Sequence, residues 1–376
     1  MRIPFNKPHV TGRELDYIHQ AVQNRHLSGN GAFTRQCQAW LEARVGCPRA
    51  LLTHSCTAAL EMAALLTEAG PGDEVIMPSF TFVSTANAFV LRGVRPVFVD
   101  VRPDTLNLDE SKVEAAITPR TRAIVPVHYA GVACEMDTLC ALAARHGLLV
   151  VEDAAQGVMA TYKGRPLGSI GQAAALSFHE TKNVIAGEGG ALLVNHPAWA
   201  ERAEILWEKG TNRTRFARGE IDKYTWIDLG SSYLPSEISA AFLWAQLEQA
   251  TAITDRRLAL WGLYYEALAP FETRGLLRRG IVPEECVHNA HMCYVLVSDP
   301  PQRARLLSTF AERGINAISH YVPLHSAPAG RRFGRVSGSL DVTERVAAQL
   351  VRLPLWVDMT ADDVSAVVEG IAEWAA

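Results

Sequence analysis

Short apolar runs rich in β-branched residues recur along the first half of the chain, separated by longer stretches with helical spacing. The runs predict strands at 74–77, 97–101, 123–127, 148–152, 174–178 and 191–194. The stretches between them, at 57–68, 84–92 and 136–146, are amphipathic or alanine-rich and predict helices. This alternation implies βαβ crossovers and a mostly parallel sheet buried on both faces, an α/β fold. Residues 235–270 carry Ile238, Phe242, Ala245, Leu258, Trp261 and Tyr265 near helical spacing, which predicts one long helix or two in succession. Beyond them come a strand at 292–297, a helix at 301–313, a strand at 315–322 and two more helical stretches. The chain is therefore expected to divide into a large domain at 1–249, with an N-terminal arm, and a smaller C-terminal α/β domain at 250–376.

Composition narrows the classes of function. The chain has 376 residues, 48% hydrophobic and 20% charged, with a formal net charge of −4. That is ample for a large core and carries no basic excess of the kind nucleic-acid binding needs, so a phosphate-bearing ligand must be held by local groups. Seven scattered cysteines without a CxxC pair read as reduced thiols, not as a disulfide framework or zinc site. No apolar N-terminal leader and no run long enough to span a membrane are evident, so the expected compartment is cytoplasmic. His288 and His291 stand three apart but lack a third ligand, and no metal is expected.

Ligands of parallel α/β sheets lie beyond the carboxyl ends of the strands, so the residues that follow each strand carry the candidate chemistry. The run Val150-Val151-Glu152-Asp153 ends in an acid that can pair with a protonated ring nitrogen, with Gln156 beside it. Taken alone, such an aspartate is more often a strand-end residue capping a turn. Lys182 lies just past another apolar run and before Gly187-Glu188-Gly189-Gly190. A desolvated lysine there can form an imine with an aldehyde, although any single lysine is more often a solvated one. Ser177 can donate to a phosphate oxygen. Ser55, Cys56 and Thr57 open a helix, where free N–H groups favour a phosphate, although an ordinary cap reads the same way. Phe82 can cover a planar ring or simply pack in the core.

A phosphate cup, a ring cover, an aspartate, a glutamine, then a serine and a lysine, in that order, resemble the DegT/DnrJ/EryC1/StrS sugar aminotransferases, a family of fold type I pyridoxal-phosphate enzymes. The likeness runs from Ile3-Pro4-Phe5 to Leu353-Pro354-Leu355. It implies a large domain with a mostly parallel, seven-stranded-type sheet, and pyridoxal 5'-phosphate held by Lys182 as a Schiff base. It implies Asp153 on the pyridine nitrogen, Gln156 on the ring hydroxyl, Phe82 stacked on the ring, and Ser55, Cys56, Thr57 and Ser177 around the phosphate, with His179 close by. It also implies a homodimer with shared active sites. Where many members carry an asparagine that reaches across the dimer, this chain has Ser232.

Long stretches at 78–93, 126–137, 177–183, 209–213 and 222–226 resemble one branch of the family. Its members move an amino group from L-glutamate to C4 of dTDP-4-keto-6-deoxy-D-glucose, giving dTDP-4-amino-4,6-dideoxy-D-galactose for a cell-surface glycan. Arg213, beside Lys209 and Asn212, can bind a diphosphate or form a solvated basic loop. His320 and His325 lie in a segment that resembles the family's substrate-facing strand. Three rivals stand beside this reading: a UDP-linked or C3-keto sugar as acceptor; a dehydratase, which would carry histidine in place of Lys182; and a non-enzymatic sensor, which would have lost the lysine or the aspartate.

Overall fold

The computed structural model describes residues 3–376. Its main element is an eight-stranded sheet in the order Arg49–Thr53, Gly190–Val194, Ala173–Ser177, Leu149–Asp153, Thr121–Ile124, Glu74–Pro78, Arg95–Val99, Arg335–Val336. Gly190–Val194 runs antiparallel to both neighbours, and every other pair is parallel. Seven of the strands come from the first 194 residues; the eighth, two residues long, returns from far along the chain to the sheet's edge. There Arg335 donates twice, from Nε and a terminal nitrogen, to the buried carboxylate of Glu74, each at 2.8 Å.

Period-two alternation buries both faces of this sheet. Leu51, Val75, Met77, Val151, Ala173, Ala175 and Leu192 face one layer, which includes the helices Cys56–Leu66 and Val83–Val90. Ala50, Leu52, Ala174, Leu176, Ala191 and Leu193 face the opposite layer of helices Glu14–Gln23, Ala32–Val45 and Glu237–Glu248. The helix Met136–His146 covers the same sheet further along, over Ile76, Val97 and Ile124. A second sheet, Leu277–Arg279, Cys293–Val297 and Leu350–Leu353, is antiparallel and packs with the helices Ala250–Thr273, Pro300–Glu312 and Ala361–Trp374 around Val295, Phe310 and Val351.

The helical stretch at 235–270 forms two helices that break at Gln249, whose φ of −107° and ψ of 9° leave the helical region. The strands expected at 97–101 and 123–127 begin two residues earlier, as Arg95–Val99 and Thr121–Ile124. The second stops short of Pro126, which has no N–H for a ladder. The strand expected at 315–322 does not form. Only isolated bridges at Ile315 and Ile318 hold that segment, which leaves it free to swing His320 and Tyr321 onto a cavity wall instead of into a ladder. The helices Glu14–Gln23 and Ala32–Val45 and the strand Arg49–Thr53 were not evident from periodicity.

Candidate active site

A cavity of about 580 Å³ opens at the carboxyl edge of the large sheet, within the range of small-molecule sites. Four strands deliver its floor. Arg49–Thr53 leads to Ser55, Glu74–Pro78 leads to Phe82, Leu149–Asp153 ends on Asp153, and Ala173–Ser177 ends on Ser177 and leads to Lys182. The loop after Ser177 is tied back on itself by Phe178 N–H to Gly189 O at 2.9 Å and Glu180 N–H to Gly187 O at 2.8 Å. That closure presents Lys182 to the cavity before the chain turns into the antiparallel strand Gly190–Val194.

Asp153 is buried and firmly oriented. Thr85 donates to its Oδ2 at 2.6 Å, and the Ala155 N–H donates to Oδ1 at 3.2 Å. Thr81 in turn lies 2.8 Å from the Thr85 hydroxyl. Lys182 is largely covered on the cavity wall, and loss of surrounding water depresses its basicity, with the Arg352 charge pushing in the same direction against Cys56 and Asp153. Its amine is therefore more readily neutral than a surface lysine's. Burial holds the Cys56 thiol protonated, with the Asp153 charge adding to the effect, so it is a weak donor rather than a nucleophile.

The helix Cys56–Leu66 begins at the cavity. Ser55 caps it, its hydroxyl accepting from Ala58 N–H at 3.1 Å, while the Thr57 hydroxyl meets Ser84 at 2.7 Å. Gly190 lies flush against this helix start: a Cβ there would stand 2.4 Å from the Cys56 nitrogen. Phe82 keeps 58% of its surface exposed, an unusual share for a phenylalanine on a cavity wall, and so offers a free ring face. Gln156 accepts the Ala130 N–H on Oε1 at 2.6 Å, which turns its amide donor toward Tyr321, at 3.4 Å, and the cavity.

These groups fit pyridoxal phosphate: a helix start for the phosphate, a flat aromatic face, a fixed carboxylate, and an amine of lowered basicity in one chamber. Ser55, Cys56, Thr57, Phe82, Asp153, Gln156, Ser177, His179, Lys182 and His320 all line it. Four other residues that the sequence raised do not. His325 has both ring nitrogens engaged, with Ser79 at 2.7 Å and Glu344 at 2.8 Å. Arg213 and Ser232 are exposed, Ser232 in an isolated bridge with Glu208. His288 packs edge-on against Trp261, away from His291, which joins the cavity wall.

Tyr321 and Arg352, which spacing did not single out, line the wall together with His291, which the sequence marked only for its spacing from His288. His291 contacts Asn183 Oδ1 through Nδ1 at 3.1 Å. Burial, with the nearby Lys182 and Arg352 charges, drives its basicity well down. His320 sits 3.1 Å from the Tyr129 hydroxyl and is held down to about 2 by burial, with Arg352 and Lys182 adding to it. Both surroundings favour the uncharged imidazole. Arg352 had one sequence signal, a charge inside the apolar run Leu350-Val351-Arg352-Leu353.

Comparisons with known proteins show the family to which the chain is similar. The model of the DegT/DnrJ/EryC1/StrS aminotransferase family matches residues 8–372. The spore coat polysaccharide biosynthesis protein SpsC of Bacillus subtilis (strain 168) is 34% identical over 380 residues, which span 99% of this chain and 96% of that protein. Among solved structures, DesV of S. venezuelae superposes with a TM-score of 0.89 at 32% identity, over 100% of this chain and 98% of the other. The aminotransferase TlmJ from Streptoalloteichus hindustanus gives 0.90 at 29% identity over the whole of both chains.

Proposed function

The chain belongs to the DegT/DnrJ/EryC1/StrS aminotransferase family, and on that premise we propose that it moves an amino group from L-glutamate to C4 of dTDP-4-keto-6-deoxy-D-glucose. The product is dTDP-4-amino-4,6-dideoxy-D-galactose, destined for a cell-surface glycan. The general activity, that of a pyridoxal-phosphate-dependent sugar aminotransferase, is the family's own. The observation that carries the site assignment is the meeting of Lys182 and the braced Asp153 in one cavity. The sugar assignment is supported by the long stretches at 78–93 and 126–137, and the glycan context by the name of the B. subtilis relative.

Pyridoxal phosphate, when bound, supplies a ring that takes up the electron pair left by a broken C–H bond. Lys182 would be the covalent anchor of that group, and its Nζ would serve as the base and acid that carries the proton. Its lowered basicity serves both tasks, since a neutral amine is needed to attack and to accept. Asp153, held from two sides by Thr85 and Ala155, would accept the ring N–H and keep that nitrogen protonated. Ser55, Cys56, Thr57 and Ser177 would hold the phosphate, Phe82 would cover the ring, and the Gln156 amide would donate to the ring oxygen. His179 borders the same pocket.

The proposal includes a homodimer with shared sites, in which Ser232 and Arg213 serve the partner's cavity. Its support is an exposed apolar stretch just ahead of Ser232, with Trp226 at 77% and Leu229 at 58% exposure. The proposed compartment is the cytoplasm. Among the described residues no helix is long and apolar enough to cross a membrane.

The test is a pair of half-reactions on the purified enzyme. L-Glutamate alone should remove the visible absorbance of the lysine-linked cofactor, and dTDP-4-keto-6-deoxy-D-glucose should restore it with formation of the 4-amino sugar. Restoration only by a UDP-linked or C3-keto sugar overturns the acceptor assignment.

A further inference from the structure

A strained turn presents His291 to the cavity. Ala290, buried just ahead of it, holds a φ of 50°, a left-handed backbone that a residue with a Cβ adopts at a cost. Five hydrogen bonds overdetermine the turn. The Asn289 amide donates to the carbonyls of Gln156, at 2.8 Å, and Val158, at 2.7 Å, while its oxygen accepts the His291 N–H at 3.0 Å. Buried Arg257 donates to the carbonyls of Ala290, at 3.1 Å, and His291, at 2.9 Å. Gly131 makes room for this arrangement, because a Cβ there would overlap the Asn289 side-chain oxygen.

The partner of the ring assigns its hydrogen. Asn183 donates through Nδ2 to the Asn289 carbonyl at 2.7 Å, which turns its oxygen to His291 Nδ1, at 3.1 Å. An amide oxygen can only accept, so Nδ1 carries the hydrogen. Burial favours the uncharged ring, whose Nε2 is then a bare acceptor. Among the described residues no group bonds to that Nε2.

Lys182 and His291 line the main cavity together and also share a second, smaller space. This cleft of about 10 Å³, roughly the room of one water, is walled by both of them and by Ser177, Asn183 and Asn289. Asn183 follows Lys182 in the chain, so one loop carries both the amine and the group that fixes the imidazole. A tie whose only task was to join two loops would need the bonds of Asn183 and Asn289. It would need neither a left-handed alanine nor an open acceptor beside the lysine.

A free lysine side chain turns about four bonds, and between two proton transfers its amine needs a fixed resting place. We propose that His291 is a positioning residue for Lys182, its Nε2 accepting a hydrogen bond from the freed amine and holding it in reach of the substrate carbon. This rests on the aminotransferase reading and deepens it. The same ring serves both half-reactions, since the lysine is released in each.

Two measurements on cofactor-free protein and one on the loaded enzyme test this. Protein labelled with 15N-histidine should show one ring, missing from His291→Phe, with its hydrogen on Nδ1. A hydrogen on Nε2 overturns the proposal. Capture of added pyridoxal phosphate, followed by its visible band across pH, requires the uncharged amine. His291→Phe removes an acceptor that favours the charged amine, so the midpoint of capture should fall by about half to one pH unit. His291→Gln, which offers an amide oxygen in place of Nε2, should return toward wild type. Cys56, Asp153, His320, Tyr321 and Arg352 on the cavity wall, with His179 and Glu188 beside the lysine loop, are the other titratable groups there and are the same in all three proteins.

In the loaded enzyme, the maximal rates of both half-reactions should fall about 10- to 100-fold in His291→Phe, with the glutamate concentration for half-maximal conversion within about threefold of wild type. A purely structural role would weaken cofactor and glutamate binding together and leave the midpoint unmoved, and that result overturns the proposal. So does a loss confined to one half-reaction. Should His291→Phe not fold, His291→Gln identifies the ring in the wild-type spectrum and the position of its hydrogen decides. A wild-type protein that captures no pyridoxal phosphate would overturn the aminotransferase reading itself. Wild-type capture with an unmoved midpoint in His291→Phe overturns only the role of His291.

Discussion

The Thr85 hydroxyl donates to Asp153 Oδ2 at 2.6 Å, which joins the helix following one strand to the carboxylate ending another. Thr81 completes the chain at 2.8 Å from Thr85. The carboxylate's direction is thus fixed from the protein side, independently of what binds in the cavity. Thr85→Val keeps the volume and removes the donor. Cofactor should still bind, with kcat lowered about 10-fold or more as the carboxylate loses its orientation. Steady-state kinetics at saturating cofactor check this, and wild-type kcat would show that the brace is dispensable.

Asp153→Asn tests the acid itself. The amide preserves shape but cannot hold a ring nitrogen protonated. Cofactor should be retained while turnover falls by orders of magnitude. Turnover close to wild type would remove Asp153 from the pyridine position.

Lys182 gives a pH-dependent signature. Its folded-state basicity is depressed, chiefly by burial, so over the window between the depressed value and the ordinary one, about 10.4, the unfolded chain binds the extra proton. Stability therefore rises with pH across that window. In cofactor-stripped protein, Lys182→Met should raise Tm at neutral pH, and the gain should fade as pH climbs through the ordinary lysine range. A gain independent of pH would mean that the lysine is not desolvated. The same variant, reloaded with cofactor, should lack the visible band of the lysine-linked form.

Gly190→Ala probes the phosphate cup. The added methyl would lie 2.4 Å from the Cys56 nitrogen and 2.6 Å from the Ser55 oxygen, both backbone atoms that cannot swing aside. Strand and helix start must separate, which pulls the N–H groups out of position. Equilibrium dialysis should show cofactor affinity reduced about 10-fold or more. Unaltered affinity would place the phosphate elsewhere.

Much of this was legible in the sequence because the relevant residues follow strands. Asp153 and Lys182 stand beside strong apolar runs, so periodicity alone located them at the sheet's edge. Arg352 was not legible in the same way. It lies about 170 residues beyond Lys182, and only the fold brings them together. Tyr321 is less legible because the β-branched residues of 315–322 favour a ladder, whereas the segment has bridges only at Ile315 and Ile318. The helix Glu14–Gln23 escaped notice because its N-terminus lacks a side-chain cap, and Ala32–Val45 begins on a bare Gly31. The buried Glu237 supplies that missing cap from a distant helix, accepting from the N–H groups of Gly31, Phe33 and Thr34.

The two-residue strand Arg335–Val336 bears on how the molecule can be cut. A fragment ending before it would bare Arg95–Val99 as an open edge, inviting another chain to pair there. It would also strip the Glu74 carboxylate of the guanidinium that, ahead of Thr118 and Arg120, holds it down to about 2. Truncation ahead of this strand would thus yield a sticky remnant with an under-compensated buried carboxylate rather than a working half-enzyme, and any split reporter or fusion should place its junction elsewhere.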